Sequence, residues 1–331
     1  MIQRSPTEDF IEHLQQAAAS VGALVSLLNG NASLEQCGPA EFSLLLTELH
    51  EDGYSIVSSR PHDSGMQLGV MRASGGIPQF FPIELHRSSV RLPKTDGLFI
   101  AFLGPDGVGK TTTVDGVTEH LKPIFGEQHL FHWRPQVIKP RTQEEEEIGN
   151  DDGWTSINRH GDPPRGAWLS TMRLGGIYSD YLVGQKRLIR PALERGGLVV
   201  FDRYYPDILV DSKRYRYGGP QWLLEAIKML LPQRRVFFVV LDADEKVILS
   251  RKQEVSFEEL RSQRRKYAAL ARSLHCLHIR TDFGLEQTLT EVLRGIGLHL
   301  THRFDERLHG VEHKANAADG TAHSVTVAKT A

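Results

Sequence analysis

The stretch Leu98-Phe99-Ile100-Ala101-Phe102-Leu103-Gly104-Pro105-Asp106-Gly107-Val108-Gly109-Lys110-Thr111 joins an apolar run to a glycine-rich turn. A continuous apolar run of this kind suits a strand buried on both faces. The turn from Gly104 to Thr111 satisfies G-x-x-x-x-G-K-[ST] in full. Val114, Val117 and Leu121 then recur at helical spacing until Pro123. Strand, loop and helix in that order form a cradle for phosphate. The glycines let the backbone turn tightly and approach an anion with no Cβ in the way. The N–H groups of the loop converge on that anion, aided by the positive end of the following helix. The expected nucleotide-binding residues are Gly104, Asp106, Gly107, Val108, Gly109, Lys110, Thr111 and Thr112. Lys110 brings positive charge to the outer phosphates, and the Thr111 hydroxyl can ligate Mg²⁺. The sequence contains no Asn-Lys-x-Asp segment to read guanine, so ATP is the expected donor.

Outward from this loop, residues 129–133, 198–201, 236–241 and 276–279 read as further strands. Helical stretches lie between them, at about 167–193, 222–231, 257–272 and 285–296. The first of these is interrupted by Gly175-Gly176 and by Pro191. Such alternation predicts an α/β fold, with a five-stranded parallel sheet and helices on both faces. The loop alone names a superfamily, not a reaction.

A second constellation narrows the reaction. The third strand runs into Phe201-Asp202-Arg203-Tyr204. An aspartate at the carboxyl end of a parallel strand emerges where ligands bind. Asp202 is therefore expected to hold Mg²⁺ together with Thr111, or to orient the attacking oxygen. Arg203 is expected to bridge phosphate oxygens with its planar fork.

These residues resemble the thymidylate kinase family of nucleoside-phosphate kinases. The resemblance is carried by 104–112, by Asp202-Arg203-Tyr204, and by Leu241-Asp242-Ala243-Asp244 followed by Arg251. It covers about residues 97–300. It implies a P-loop nucleoside-monophosphate-kinase-like fold, with ATP and Mg²⁺ as cofactors and Lys110, Asp202, Arg203 and Arg251 as catalytic residues. Arg251 would close over the donor phosphates from a lid. The acceptor side would comprise Asp106, Arg134, Arg203 and Tyr204. This chain departs from the family where acceptor identity is set. Tyr205-Pro206-Asp207-Ile208-Leu209-Val210-Asp211 and then Arg214-Tyr215 stand in place of a serine-rich stretch and Ala-Tyr-Gln. His132-Trp133-Arg134-Pro135 stands in place of Arg-Glu-Pro-Gly-Gly, and the lid is reduced to Arg251-Lys252-Gln253-Glu254. Thymidine monophosphate or another nucleoside monophosphate is the first expected acceptor. The alternatives are an ATP-binding regulator or assembly protein, and a kinase of a sugar or polysaccharide-pathway acceptor.

Several residues between the motifs have two readings. Tyr178, Asp180 and Tyr181 either line the acceptor pocket or pack in the core. Asp207 and Asp211 either face the site or cap a helix. Trp133 either stacks an acceptor ring or packs. The acidic run Glu144 to Glu147, with Asp151 and Asp152, reads as a solvated loop.

The chain has 331 residues, with 39 Lys+Arg against 41 Asp+Glu, giving a net charge of −2. That balance excludes binding driven by a broad basic field on nucleic acid or anionic lipid. Two cysteines, Cys37 and Cys276, form no disulfide framework and fit no metal spacing, so a reducing compartment is expected. No apolar stretch reaches the ~20 residues that span a bilayer. Glu8, Asp9 and Glu12 stand where a secretory signal would be basic, so the expectation is a cytoplasmic protein. Three zones are expected. Residues 1–94 form a small α+β accessory domain, with a helix ending near Asp52 and strands at 54–58, 66–71 and 80–85. Its element order faintly resembles the rear half of a nucleotidyltransferase-like domain, without that family's paired aspartates. Residues 95–300 form the phosphate-binding domain. Residues 301–331, with His302, His309, His313 and His323, are expected to be a disordered tail. The expected partners are a small-molecule phosphate acceptor and, as an open alternative, a second copy of the chain.

Overall fold

The computed structural model describes residues 5–28, 31–35, 37–62, 65–73, 76–86, 90, 92–138, 164–231, 235–252, 255–274 and 276–319. The chain divides into two compact units. One comprises Met1–Asp96, Glu119–Gly126 and Leu293–Ala331, and the other Gly97–Thr118 and Glu127–Val292. The acidic run at 144–152 and the lid residues Gln253 and Glu254 lie outside the described residues.

The first unit opens with helix α1 (Pro6–Val21), started by a reciprocal cap. The Ser5 hydroxyl accepts the Glu8 N–H, and the Glu8 carboxylate accepts the Ser5 N–H. Strands β1 (Leu24–Leu28) and β2 (Asn31–Glu35) follow, then helix α2 (Pro39–Glu51). Strands β3 (Tyr54–His62), β4 (Gly65–Arg72) and β5 (Gln79–His86) complete a sheet of order β1-β2-β5-β4-β3. Its β2–β5 pair is parallel and the others antiparallel. Phe10 stacks on Phe81 with centroids 4.4 Å apart, at the centre of a core shared by α1, α2 and the sheet.

The second unit holds β6 (Leu98–Leu103), α3 (Lys110–Leu121), β7 (Gln128–His132), α4 (Ala167–Gly184), α5 (Arg190–Glu194) and β8 (Leu198–Asp202). It continues with α6 (Asp207–Val210), α7 (Gln221–Leu230), β9 (Val236–Asp242), α8 (Glu245–Arg251), α9 (Phe257–Leu274), β10 (Leu277–Arg280) and the start of α10 (Leu285–Asp319). The five strands form a wholly parallel sheet of order β10-β9-β6-β8-β7, as the alternation predicts. Every residue of β6 is buried, as expected for a central strand covered on both faces.

Three expectations need correction. The helix at 167–184 runs unbroken through Gly175 and Gly176. Leu174, Ile177 and Tyr181 anchor it in the core, which outweighs the ~1 kcal/mol propensity loss of a glycine. Ahead of Pro191 the chain widens into a π turn at Gln185–Ile189, where the Arg190 N–H reaches the Gln185 carbonyl; this turn accommodates a residue with no N–H to give. Residues 301–319 continue α10, where the start of a disordered tail was expected, and residues 320–331 lie outside the described residues. Phe304 and Leu308 are buried in the core of the first unit. No described helix is long and apolar enough to cross a membrane.

Candidate active site

The phosphate loop leaves β6 at its carboxyl end and enters α3. Gly104 has φ +147°, and a Cβ there would stand 2.5 Å from the Leu241 carbonyl oxygen at the end of β9. A Cβ on Gly107, at φ +80°, would stand 3.0 Å from the Lys252 side chain and 3.1 Å from the Ile248 carbonyl oxygen. Glycine is thus required by backbone conformation and by close approach together. The Lys110 ammonium is buried and donates to the carbonyls of Gly104 (3.0 Å) and Pro105 (2.8 Å). Burial, and then the Arg203 charge, pull its pKa down to about 8 against the opposing pull of Asp106, Asp202 and Asp207.

β8 delivers Asp202 beside this loop. The Thr111 hydroxyl, on the first turn of α3, donates to Asp202 Oδ2 at 3.1 Å. The His132 Nδ1, at the end of β7, stands 3.8 Å from the same oxygen. Burial works against the Asp202 charge, but the His132 ring, Lys110 and Arg203 outweigh it and hold the carboxyl at about 2. Asp202 Oδ1 is buried with no hydrogen-bond partner among the described residues. An ionised carboxylate with one unsatisfied oxygen, next to a hydroxyl, is a hard oxygen donor set of the kind Mg²⁺ takes. Among the described residues no group of three or more His, Cys, Asp or Glu side chains is placed to hold a metal ion. Thr111 and Asp202 would therefore bind such a cation with the help of substrate oxygens and water.

Arg203 follows directly and turns the chain with φ +70°, a conformation uncommon for a residue with a side chain. Its buried guanidinium lies between two carboxylates. Nη1 donates to Asp207 Oδ2 at 2.5 Å, and Nη2 donates to Asp106 Oδ1. Burial opposes its charge, but Asp106 and Asp207 reverse the balance and raise its pKa well above the ordinary value. Arg214 donates to the other oxygen of Asp106. Asp207 is fully buried and also accepts the hydroxyls of Tyr215 (2.8 Å) and Tyr267 (2.5 Å). Arg251 reaches the loop from α8: its guanidinium lies 3.5 Å from the Val108 carbonyl, which also accepts the Thr281 hydroxyl at 2.8 Å.

A cavity of about 630 Å³ opens among these groups, lined by Lys110, Thr111, Thr112, Asp202, Arg203, Arg214 and Arg251, among others. Asp106, Gly107 and residues 109–112 thus share one cavity wall with Asp202 and Arg203, while Gly104 and Val108 of the expected set do not line it. Tyr204 is a core side chain, 1% exposed and packed edge-on against Phe99 and Phe201, and does not line the cavity. Arg134 is buried near Asp180, 3.9 Å away, and is not on the cavity wall. Asp180 accepts the backbone N–H groups of Gln136 and Ile138, and Tyr181 donates to the Trp133 carbonyl. Trp133 stacks on Tyr215 at 4.4 Å. Of the paired readings, packing holds for Trp133, Asp180 and Tyr181.

Sequence reasoning left Asp207 open and assigned no role to Arg214, Tyr267 or His132. The spacing of Arg203 and Asp207, four residues apart, was a usable signal for the ion pair. Tyr267 gave none, because it arrives from α9, sixty residues away in the chain.

No family model matches the chain. Part of the sequence is similar to curated thymidylate kinases. The relative from Leuconostoc citreum is 29% identical over 161 residues, 44% of this chain and 64% of the relative. The relative from Bifidobacterium longum subsp. infantis is 33% identical over 136 residues, 40% of this chain and 52% of the relative. The chain therefore spans less than two thirds of the length of these curated relatives. Among solved structures, the thymidylate kinase of Ehrlichia chaffeensis aligns with TM-score 0.42 and 19% identity, covering 61% of this chain and 99% of that one. That of Candida albicans aligns with TM-score 0.44 and 17% identity, covering 62% and 94%. Over the matched portion the chain is similar to the thymidylate kinases.

Proposed function

We propose that this chain transfers a phosphoryl group from ATP to a small phosphorylated acceptor, on a fold of the nucleoside-monophosphate-kinase type. Thymidine monophosphate is the first acceptor to test, because the curated relatives are thymidylate kinases. One observation carries the proposal: Lys110, Thr111, Asp202, Arg203 and Arg251 line a single cavity at the carboxyl ends of a parallel sheet.

Each side chain has a physical task in that reaction. The loop amides and Lys110 grip the outer phosphates of the donor; a phosphate oxygen is a stronger partner for the ammonium than the two neutral carbonyls it now meets. Thr111 and Asp202 would hold a divalent cation, which would supply charge neutralisation to the donor's outer phosphates. Arg203 orients the acceptor's phosphate. An acceptor oxygen forms a bond to the γ-phosphorus while the bond to the β-phosphate oxygen breaks, and the electron pair leaves with ADP. Lys110, Arg203 and Arg251 offset the charge that spreads over the transferring group. Residues 1–94 serve as an accessory domain in this scheme.

The test is phosphoryl transfer from labelled ATP to a panel of nucleoside monophosphates and sugar phosphates, with wild-type protein and Lys110→Ala. Transfer to at least one acceptor is expected, reduced about 100- to 1000-fold in the variant, the scale of losing one preorganised charged donor. Transfer at the wild-type rate in Lys110→Ala refutes the assignment of the loop. Hydrolysis with no transfer to any acceptor refutes the kinase in favour of an ATP-binding regulator.

A further inference from the structure

We propose that Arg214 is a second acceptor-binding guanidinium, working beside Arg203, and that Asp106 holds both as an exchangeable counter-ion until a phosphomonoester dianion arrives. The inference rests on the kinase function proposed above and extends it to a residue outside the motifs that carry the resemblance.

The geometry is specific. Arg203 takes one oxygen of Asp106 and Arg214 takes the other. Lys110 stands 3.8 Å from the Asp106 oxygen that Arg203 uses. One carboxylate of the phosphate loop thus meets three cations, on the wall of the cavity that would hold the substrates. Arg214 is held in place from behind. Its backbone N–H donates to Asp211 Oδ1 at 3.1 Å, and Gln263 of α9 donates to Asp211 Oδ2 at 3.1 Å. The turn carrying Arg214 is therefore tied to a long helix.

The two carboxylates around Arg203 are not equivalent. The Asp207 side chain is sealed from solvent and saturated by two tyrosine hydroxyls, so it is a fixed counter-ion. The Asp106 side chain is 18% exposed and borders the cavity. An incoming anion can displace only the accessible one. A phosphomonoester carries up to two charges and three terminal oxygens, against one charge and two oxygens for a carboxylate, so it outcompetes Asp106 for two guanidinium forks. An uncharged hydroxyl cannot. The acceptor class is therefore a phosphomonoester, and Arg214 discriminates it from the same molecule without its phosphate.

The experiment uses the full chain with its phosphate loop saturated by Mg²⁺ and a non-hydrolysable ATP analogue. It is then titrated separately with thymidine monophosphate, thymidine and inorganic phosphate. The wild-type protein is expected to bind the monophosphate or inorganic phosphate, and thymidine at least about tenfold more weakly. Arg214→Gln is expected to weaken binding of the phosphorylated probe by about tenfold or more, with Arg214→Lys between the two, on the scale of one charge-assisted contact. Affinity for the ATP analogue should stay within about threefold, which also reports that the variant is folded. Asp106→Asn removes the competing charge and is expected to tighten inorganic phosphate binding. Unchanged phosphate binding in Arg214→Gln, loss of the ATP analogue together with phosphate, or no phosphate binding by loaded wild-type protein overturns the role of Arg214. Weaker or unchanged phosphate binding in Asp106→Asn overturns the exchange. Failure of the wild-type chain to bind the ATP analogue at all instead removes the proposed kinase function beneath it.

Discussion

Asp207→Asn is the substitution with the clearest structural consequence. The wild-type carboxylate is fully buried and accepts three donors, Arg203, Tyr215 and Tyr267, at 2.5, 2.8 and 2.5 Å. Asparagine has nearly the same volume, so packing survives. The charge does not, and one acceptor becomes a donor facing other donors. Removing one partner of a buried ion pair costs about 3–5 kcal/mol, because the remaining charge is left without a counter-ion. Arg203 retains Asp106, which reduces the loss to about 2–4 kcal/mol. For a unit of this size each kcal/mol corresponds to roughly 2–4 °C, so the melting temperature should fall by about 5–15 °C. The assay is urea unfolding monitored by fluorescence, run alongside Tyr267→Phe, which removes one hydroxyl and should cost about 1–2 kcal/mol. The double variant should lose less than the sum, because both changes act on the same contact. A stability loss below about 1 kcal/mol in Asp207→Asn, or strict additivity with Tyr267→Phe, refutes the view that Asp207 anchors Arg203.

Three further outcomes follow from single features. Gly104→Ala places a Cβ 2.5 Å from the Leu241 carbonyl at φ +147°, and should cost at least about 3 kcal/mol with loss of ATP binding; unfolding and nucleotide titration check both. Asp202→Asn keeps the Thr111 contact but removes the charge next to the unsatisfied oxygen, so the enhancement of ATP-analogue affinity by Mg²⁺ should fall about tenfold or more in calorimetric titration. His299 has its pKa lowered to about 4 by burial, and then by Arg303 and His302. Between about 6.5 and 4 the unfolded chain takes up a proton that the folded one refuses, so stability present above 6.5 declines as the pH drops. Solvent near the partly exposed ring limits the loss to about 1–2 kcal/mol, and His299→Gln should flatten that part of the stability–pH curve.

The phosphate loop was legible because its chemistry is local. A strand, a turn that only glycine can follow and a helix start are contiguous in sequence, and Lys110 and Thr111 inherit their positions from that turn. Asp202 and Arg203 were legible for a related reason: a buried parallel strand must end where ligands bind, and they are its end. The helix at 301–319 was also written in the sequence, as Leu300, Phe304 and Leu308 at helical spacing, but the polar, histidine-containing composition around them concealed it. Strand β2, Asn31-Ala32-Ser33-Leu34-Glu35, escaped because it carries few apolar residues, and β1 because it follows so closely on the apolar end of α1 that the two read as one stretch.

The sequence by itself determined the parallel sheet, the glycine-rich loop and the carboxylate–guanidinium pair beside it, since each depends on neighbours within a few residues. Only the tertiary structure decided that Tyr204 belongs to the core, that Arg134 is not on the cavity wall, and that Arg214 and Asp207 complete the surroundings of Arg203. Arg214 comes from a later turn, and Tyr267, which holds Asp207 in place, comes from α9; no local spacing links either to the loop. A buried charge finds its counter-ions in three dimensions, because the Coulomb attraction that selects them depends on separation in space and not on separation along the chain.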